Sequence, residues 1–347
     1  MGHNKTQDRP AITASEANAV LQQFRISKID SVRSYFGGSS NAPKARVYTA
    51  QGDYLLKRIA PKRASQDMLR HQHRLQLHLR RNGFSVPQLV TTLKDEETLL
   101  ECDGHLYELM SWVEGMRFSW CADEARSIGT ALASMHDLLE DLALQGPQRP
   151  GFHDRRDVAR AAMELAGRLP HEAQVHCETV AAWLGEARRA TRSCWSSLPM
   201  TVNHGDWHPG NLLMRDGRVV AVIDWESARA EPRVSDLANA LLQFSLHRAS
   251  GTTPAEWPVK PETELLRAIA DGYNLLARTP MTNQEIEVVP DLTIEAMSAE
   301  AIVPLYRKGR LRDHAATLVL PWVVARLHWI RTNRDLIRDI LSSARVD

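Results

Sequence analysis

The most informative part of the sequence is Thr201-Val-Asn-His-Gly-Asp-Trp-His-Pro-Gly-Asn-Leu-Leu-Met214, which is followed by Val219-Val-Ala-Val-Ile-Asp-Trp-Glu226. This pattern predicts a strand, a polar loop, a second strand, a tight turn and a β-branched strand. The hairpin can bring Asp206, Asn211 and Asp224 into one small volume. The sequence therefore predicts a site that contains two carboxylates and one amide oxygen.

This trio suits phosphoryl transfer. That reaction needs a carboxylate to orient and deprotonate an attacking hydroxyl, and oxygen ligands for Mg²⁺ on the nucleotide phosphates. Asp206 fits the base, and Asn211 and Asp224 fit the metal ligands, because kinase catalytic loops share this spacing. An ordinary hairpin with polar turn residues is the alternative. The complete trio favours the catalytic interpretation.

Three motifs resemble those of the aminoglycoside phosphotransferase and choline kinase superfamily, which includes kinase-like homoserine kinases. They are His204-Gly-Asp-Trp-His-Pro-Gly-Asn211, Ile223-Asp-Trp-Glu226 and Asp236-Leu-Ala238. The resemblance implies an ATP-dependent kinase with an α+β, bilobal, protein-kinase-like fold. Such a fold has a small antiparallel β-sheet N-lobe and a mainly helical C-lobe.

The resemblance also assigns roles to single residues. It implies that Asp206 is the catalytic base and that Asn211 and Asp224 bind Mg²⁺. It further implies that His204 and Asp236 support the catalytic loop structurally. An acid in the first turn of a helix also favours the helix dipole, which is a compatible role for Asp236.

The chain length of 347 residues suits two lobes. We predict a nucleotide-binding lobe at residues 1–110, a hinge at 111–118 and a helical lobe at 119–347. Hydrophobic periodicity predicts strands at residues 29–36, 45–49, 54–59, 85–90, 98–101 and 105–110. It predicts helices at residues 15–24, 65–81, 122–144, 157–169, 172–197, 236–247 and 262–276, one or two helices within 282–306 interrupted near Pro290, and a long final helix at 311–343.

The N-terminal strands carry the predicted nucleotide contacts. Lys57 lies among inward-facing apolar residues, where a cation needs a partner, and nucleotide phosphates would provide one. An edge-strand lysine that discourages aggregation is the alternative. A polar, glycine-containing loop precedes it, and its backbone N–H groups suit phosphates; its candidate residues are Gly38, Ser39, Ser40 and Asn41.

The resemblance places the adenine edge against the hinge backbone near Glu108, Met110 and Trp112. One departure from the kinase pattern concerns the helix at residues 65–81, which normally supplies a glutamate to the strand lysine. Its only acid is Asp67, close to its start. Gln72 or His71 is a possible neutral substitute, and the partner of Lys57 stays unassigned.

Composition excludes several functions. The net charge of +1 gives no global field that favours nucleic acid or a membrane. The four cysteines show no Cys-x-x-Cys spacing, which indicates free thiols in a reducing compartment. The first ten residues are polar, and no uncharged apolar run reaches about 18 residues. We therefore expect a cytoplasmic enzyme with no nucleic-acid or membrane partner.

The expected activity is transfer of the ATP γ-phosphate to a hydroxyl of a small molecule. The alternatives are a protein Ser/Thr kinase, which the short segment after Asp224 disfavours, and an inactive nucleotide-binding relative. The acceptor stays open. Arg229 or Arg233 could receive the carboxylate of an amino alcohol such as homoserine, and an aromatic cage for choline is disfavoured. A polycationic aminoglycoside would need an acidic pocket, for which the candidates are Glu226, Glu231, Glu295 and Glu300.

Overall fold

The computed structural model describes residues 11–37, 42–59, 65–142, 147, 150–246 and 253–343. The chain divides into two compact units. Unit 1 comprises Met1–Met116 together with Val220–Glu226, and unit 2 comprises Arg117–Val219 and Ser227–Asp347. The return of Val220–Glu226 to unit 1 was not predicted. The predicted phosphate loop at residues 38–41 lies outside the described residues.

Unit 1 is an antiparallel sheet with two main helices. Its sheet has five strands in the order β1-β2-β3-β5-β4. Its elements are α1 (Ala14–Leu21), β1 (Ile29–Tyr35), β2 (Lys44–Thr49), β3 (Gly52–Arg58), α2 (Gln66–Arg81), β4 (Leu100–Cys102) and β5 (His105–Ser111). The strand predicted at residues 85–90 is wrong. Only an isolated bridge from Leu89 to Met110 forms there, and Pro87 lacks the N–H that a ladder needs.

The two faces of this sheet differ in chemistry. Leu56 of β3 lies opposite Leu109 of β5, and both are buried in a core with Val20 and Leu21 of α1. Because side chains alternate along a strand, the next pair, Lys57 and Glu108, faces the other way. One face therefore forms the apolar core, and the other carries a buried charged pair.

Helix α2 buries polar residues as well as apolar ones. Ser65 caps it by accepting a hydrogen bond from the Met68 N–H. Leu75 and Leu79 are buried, as the periodicity predicts, but Gln72 and His73 are also buried. Buried polar side chains need hydrogen-bond partners. His73 contacts Thr98 and, on the charged face of the sheet, Glu108, and Gln72 donates to the Glu226 carbonyl.

Unit 2 is mainly helical, with three small two-stranded sheets, β6-β9, β7-β8 and β10-β11. Strand β8 crosses the boundary between the two units. The elements are α3 (Ala122–Leu139), α4 (Asp157–Ala166), α5 (His171–Cys194), β6 (Met200–Asn203), β7 (Leu212–Arg215), β8 (Arg218–Val222), β9 (Arg229–Pro232), α6 (Val234–Phe244), α7 (Thr263–Leu276), α8 (Asn283–Lys308), β10 (Arg310–Leu311), β11 (His314–Ala315), α9 (Ala316–Thr332) and α10 (Arg334–Ser343).

Two glycines set the packing of α3 against α7. A Cβ at Gly129 would collide with the Ile269 carbonyl, and a Cβ at Gly272 would collide with the Arg126 carbonyl. The two helices therefore approach closely only because both positions lack a side chain. This packing fixes α3, whose His136 bonds Tyr273 of α7 and lies close to the catalytic loop.

Helix α8 is continuous although it contains Pro290 and Pro304. Thr282 and Glu285 form a capping box at its start, and Gly309 ends it in the left-handed conformation. Most of its middle is buried on every side, so packing outweighs the local cost of proline. The predicted interruption near Pro290 is wrong.

Three other predictions differ from the structure. Residues 229–232, for which no strand was predicted, form β9, which pairs with β6. The final helix is divided, because a β10-β11 hairpin precedes α9, and Asn333 separates α9 from α10. Helix α6 begins at Val234, two residues before its predicted start, and ends at Phe244.

Among the described helices, none combines the length and the apolar character needed to cross a membrane.

Candidate active site

The loop between β6 and β7 holds Asp206 and Asn211 side by side. The Asn211 amide Nδ2 donates to the Asp206 carbonyl at 2.9 Å and to its Oδ2 at 3.1 Å. The Asp206 side chain remains 46% exposed, so a substrate can reach it. Desolvation would raise the pKa of Asp206, but His208, His204 and Asn211 hold this pKa below its ordinary value. The carboxylate is therefore ionised at neutral pH, as a proton acceptor must be.

Asp236 anchors the start of this loop. Its buried carboxylate accepts the backbone N–H of His204 at 2.6 Å and that of Gly205 at 3.0 Å. Gly205 has a φ of +74°, which favours glycine. Asn239 of α6 also donates to the Trp207 carbonyl. Helix α6 thus fixes the backbone on both sides of Asp206.

A buried ion pair lies against the same loop. The Arg229 Nη2 is 2.7 Å from the Glu231 Oε1, and the Arg229 Nη1 donates to the carbonyls of Ser227 and Gly205. Desolvation would lower the pKa of Arg229, but Glu231 raises it. The Arg229 guanidinium is therefore already engaged by Glu231 and the loop carbonyls, so it is not available to bind a substrate carboxylate.

Asp224 lies in unit 1, directly after β8. It is exposed and has a φ of +63°, a conformation that only a few residue types besides glycine adopt readily. The Trp225 indole donates to the Val222 carbonyl, and the Val222 N–H donates to the Ser85 carbonyl, so the backbone around Asp224 is held within unit 1. Strained backbone of this kind concentrates at functional sites.

Lys57 has two acidic partners in unit 1, the buried Glu108 and the partly buried Glu226. Its Nζ is 3.1 Å from Glu108 of β5 and 2.7 Å from Glu226. Burial alone would lower the pKa of Lys57, but Glu108, Glu226 and Asp224 raise it above its ordinary value. Burial alone would raise the pKa of Glu108, but Lys57 and His73 lower it to about 2. This group of charges, with its supporting residues on α2, is called the lysine cradle below.

Helix α2 supports the lysine cradle without supplying an acid. The His73 Nε2 is 2.7 Å from the Glu108 Oε2, and its Nδ1 is 2.7 Å from the Thr98 hydroxyl. Gln72 donates to the Glu226 carbonyl at 2.9 Å. The sequence analysis proposed Gln72 as a neutral partner of Lys57, but Gln72 contacts the Glu226 carbonyl instead. It did not predict that Glu108 and Glu226 are the partners of Lys57. The sequence feature that could have predicted a partner for Lys57 is Glu108, the only acid in β5.

The hinge residues have their own contacts in unit 1. Glu108 and Met110 pair with Lys57 and Leu55 across the sheet. The Trp112 N–H donates to the Asp53 carbonyl. The Glu108 side chain thus pairs with Lys57, whereas the prediction for Glu108 concerned only an adenine contact by its backbone. Adenine binding by the backbone of these residues stays a prediction, as does phosphate binding by residues 38–41.

The residues present fit a Mg²⁺ ion. The Asn211 amide donates through Nδ2, and its Oδ1 receives no hydrogen bond from the described part of the chain, so this oxygen is free to act as a ligand. In unit 1, Lys57 faces three carboxylates, which leaves two excess negative charges for a divalent cation to neutralise. Among the described residues, no cluster of three acidic, His or Cys side chains could hold a metal alone. Mg²⁺ in proteins generally takes the rest of its ligands from phosphate oxygens and water.

The sequence matches the phosphotransferase enzyme family, APH, over residues 31–281, and the chain belongs to this family. It is a small-molecule kinase. Among characterised relatives, the homoserine kinase of Chelativorans sp. is 26% identical over 283 residues, which cover 80% of this chain and 81% of that protein. The serine/threonine protein kinase RdoA of Salmonella typhimurium is 29% identical over 208 residues, which cover 57% of this chain and 60% of that protein.

Solved structures share the fold. An aminoglycoside phosphotransferase from Alicyclobacillus acidocaldarius has a TM-score of 0.70 and 15% identity, covering 98% of this chain and 99% of that one. The amicoumacin kinase hAmiN, solved with AMP-PNP, Ca²⁺ and Ami, has a TM-score of 0.64 and 13% identity, covering 97% and 96%. The predicted α+β kinase-like fold and the predicted superfamily are both confirmed.

Proposed function

We propose that the chain transfers the γ-phosphate of ATP to the hydroxyl of a small amino alcohol, with Mg²⁺ as cofactor. The observation that carries this proposal is the ionised, exposed Asp206 carboxylate beside Asn211, held by two amide hydrogen bonds to Asp236. The homoserine kinase relative, which aligns over most of both chains, supports an amino alcohol as the acceptor.

In the proposed reaction the acceptor hydroxyl attacks the γ-phosphorus, and its proton passes to Asp206. The bond from the γ-phosphorus to the β,γ-bridging oxygen breaks, and ADP leaves. Bound Mg²⁺ would neutralise charge on the phosphates, with Asn211 and Asp224 as its protein ligands. Lys57 would contact the phosphates from the lysine cradle. Positioning and charge neutralisation carry most of the rate enhancement in such reactions.

The contacts of the acidic residues disfavour a polycationic acceptor. Glu226 is paired with Lys57, and Glu231 with Arg229. Glu295 is fully buried against His153 and Arg188, and Glu300 is bonded by Gln243. These four acids, predicted as the lining of an acidic pocket, are thus engaged within the protein, so they do not form a free binding surface for an aminoglycoside.

Arg233 is also engaged. It pairs with Glu285 and donates to the carbonyls of Thr279 and Pro280. Neither arginine named as a carboxylate receiver is therefore free, so the acceptor class rests on the relative and not on a recognised carboxylate site. The same-fold alternative, a protein Ser/Thr kinase, is favoured by one relative that aligns over a smaller part of both chains.

The test is ADP release from Mg-ATP with homoserine, other amino alcohols, choline, aminoglycosides and a generic protein substrate. We expect release with an amino alcohol. The Asp206→Asn variant should lose about 10²- to 10⁴-fold in kcat, because it removes the general base, while nucleotide binding measured by calorimetry stays within a few fold. Release that occurs only with the protein substrate would refute the proposed acceptor. Equal loss of turnover and of nucleotide binding would assign Asp206 a folding role.

A further inference from the structure

Unit 2 contains a cavity that none of the predicted catalytic residues lines. Its volume is about 440 Å³, within the range of small-molecule sites. The residues that line it come from the segment before α4, the end of α5 and the turn after it: His153, Asp154, Arg156, Arg192, Trp195 and Ser196.

His153 is held in a fixed orientation at the wall of this cavity. Its Nδ1 is 2.8 Å from the Oε2 of Glu295, a fully buried residue of α8. Glu295 also accepts from the Thr191 hydroxyl and pairs with Arg188. The Trp195 ring stacks on the imidazole at 3.8 Å. The other ring nitrogen, Nε2, makes no hydrogen bond within the described residues.

Two arginines give the cavity an excess of positive charge. Arg156 and Arg192 are exposed, and neither side chain has an ion-pair or hydrogen-bond partner in the ranges that the structure describes. The neighbouring Arg155 does have a partner, Asp157. The acid of the cavity, Asp154, accepts the Gly151 N–H and so stabilises its own turn. The two guanidinium groups are therefore available to a ligand.

We propose that this cavity binds a small molecule through a phosphate group. Guanidinium groups match phosphate oxygens in geometry and charge. The two arginines supply charge-assisted donors, the Ser196 hydroxyl adds another, and the Nε2 of a neutral His153, whose Nδ1 contacts Glu295, can accept a hydrogen bond from a protonated phosphate oxygen. Burial of Glu295 beneath His153 keeps the imidazole in place before a ligand arrives, which lowers the cost of ordering the site on binding.

The cavity is separate along the chain from the residues proposed for phosphoryl transfer. Trp195 and Ser196 precede β6, whereas Asp206 follows its other end, and a strand of four residues lies between them. Gly151, two residues before His153, lies against Arg229 and Glu231, so the segment before α4 approaches the catalytic loop. None of Asp206, Asn211 and Asp224 lines the cavity. We therefore assign the phosphate group to residues that the proposed phosphoryl transfer does not use, and this inference does not depend on the proposed function.

Titration calorimetry with inorganic phosphate tests the proposal. We expect binding by the wild-type protein and by Lys57→Met, and at least roughly tenfold weaker binding by Arg156→Gln and by Arg192→Gln, as expected for loss of a charge-assisted hydrogen bond. Arg160→Gln is the matched control. It removes another exposed arginine, one of α4 that does not line the cavity, and should leave phosphate binding unchanged. All three arginines are at the surface, so circular dichroism should show folded variants.

Two results would overturn the proposal. One is the absence of phosphate binding by the wild-type protein at millimolar concentrations. The other is binding that Lys57→Met abolishes and that both cavity variants retain, because phosphate would then occupy the nucleotide site. Failure of the ADP-release assay would refute the proposed function alone and would leave this test unaffected.

Discussion

The catalytic loop of unit 2 and the lysine cradle of unit 1 hold their charged groups in different ways. Asp206 belongs to a short loop whose backbone is fixed by Asp236 and Asn239 of a nearby helix. Lys57 is held by acids from β5 and from the segment after β8, far apart in sequence. A local sequence motif can therefore place the catalytic base Asp206. The position of the buried cation Lys57 depends instead on the register of the sheet and on residues 220–226, which are distant in sequence.

Apart from loss of the general base Asp206, the largest effect should come from removing the cation of the cradle. Lys57→Met leaves the buried Glu108 and the partly buried Glu226 without their cation, so we expect a loss of about 3–5 kcal/mol in the free energy of unfolding. Loss of the phosphate contact should also lower kcat/KM for ATP by about 10²- to 10³-fold. Urea unfolding and ADP release measure the two effects.

A second substitution separates these effects. Glu108→Gln in the Lys57→Met background removes one unpaired charge and should restore part of the stability but none of the activity. Arg58→Met is the matched control, since Arg58 is the next residue of β3 and pairs with Glu16. If Arg58→Met costs as much kcat/KM as Lys57→Met, the cradle has no special role.

The catalytic loop should respond less strongly to loss of its anchor. Asp236→Asn replaces the charged acceptor of the His204 and Gly205 N–H groups by a neutral one. Charge-assisted hydrogen bonds contribute about 1.5–3 kcal/mol, so we expect kcat to fall by roughly 10- to 100-fold while KM for ATP changes little. Asp291→Asn, which removes another buried acid of unit 2 paired with Arg334, should leave kcat near the wild-type value.

His73 tests whether helix α2 positions the cradle through Glu108. His73→Leu removes both the Glu108 and the Thr98 contacts, and we expect KM for ATP to rise about tenfold with a smaller change in kcat, as for one lost hydrogen bond to a charged group. His73→Gln retains a donor and should recover part of this loss. Steady-state kinetics over a range of ATP concentrations separates the effect on KM from the effect on kcat. A purely structural His73 would instead lower kcat and stability together and show no recovery with Gln.

The smallest effect should appear in the dependence of stability on pH. The pKa of Glu108 is lowered from 4.5 to about 2 in the folded protein. A lowered pKa means that the ionised form is stabilised by folding, so this contribution is complete above about pH 4.5 and is lost as the pH falls towards 2. The difference in free energy of unfolding between wild type and Glu108→Gln should therefore shrink below pH 4.5. A difference that is constant from pH 6 to pH 3 would contradict this assignment.

Much of the fold could be predicted because its patterns are local. The polar loop between β6 and β7, the Asp216-Gly217 turn and the periodicity of α3, α5 and α7 lie within short windows. The segments whose structure was predicted wrongly depend on contacts with residues that are distant in sequence. β9 forms because β6 is available for pairing, and α8 continues through Pro290 because its surroundings bury it.

The candidate site shows the same limit. The spacing of Asp206, Asn211 and Asp224 is visible in the sequence, but the partners of Lys57 follow from the alignment of β3 with β5 and from the return of residues 220–226 to unit 1. A search for a glutamate on α2 could not find them. The cavity at His153 also could not be predicted, because its walls come from two separated segments. Glu295, which holds His153, comes from a third segment.

The cradle also bears on how such an enzyme could be switched on and off. In protein kinases, activity is controlled by a helix that carries the glutamate for the strand lysine, so helix movement breaks the ion pair. Here Glu108 is tied to Lys57 by the register of two hydrogen-bonded strands, and α2 contributes only neutral contacts to Glu226 and a histidine to Glu108. A movement of α2 would therefore remove the Gln72 and His73 contacts to the two acids but would not carry away an acid of Lys57 itself. Among the described residues, the ion pairs of Lys57 depend on strand register and on residues 220–226, and α2 acts on them only through Gln72 and His73.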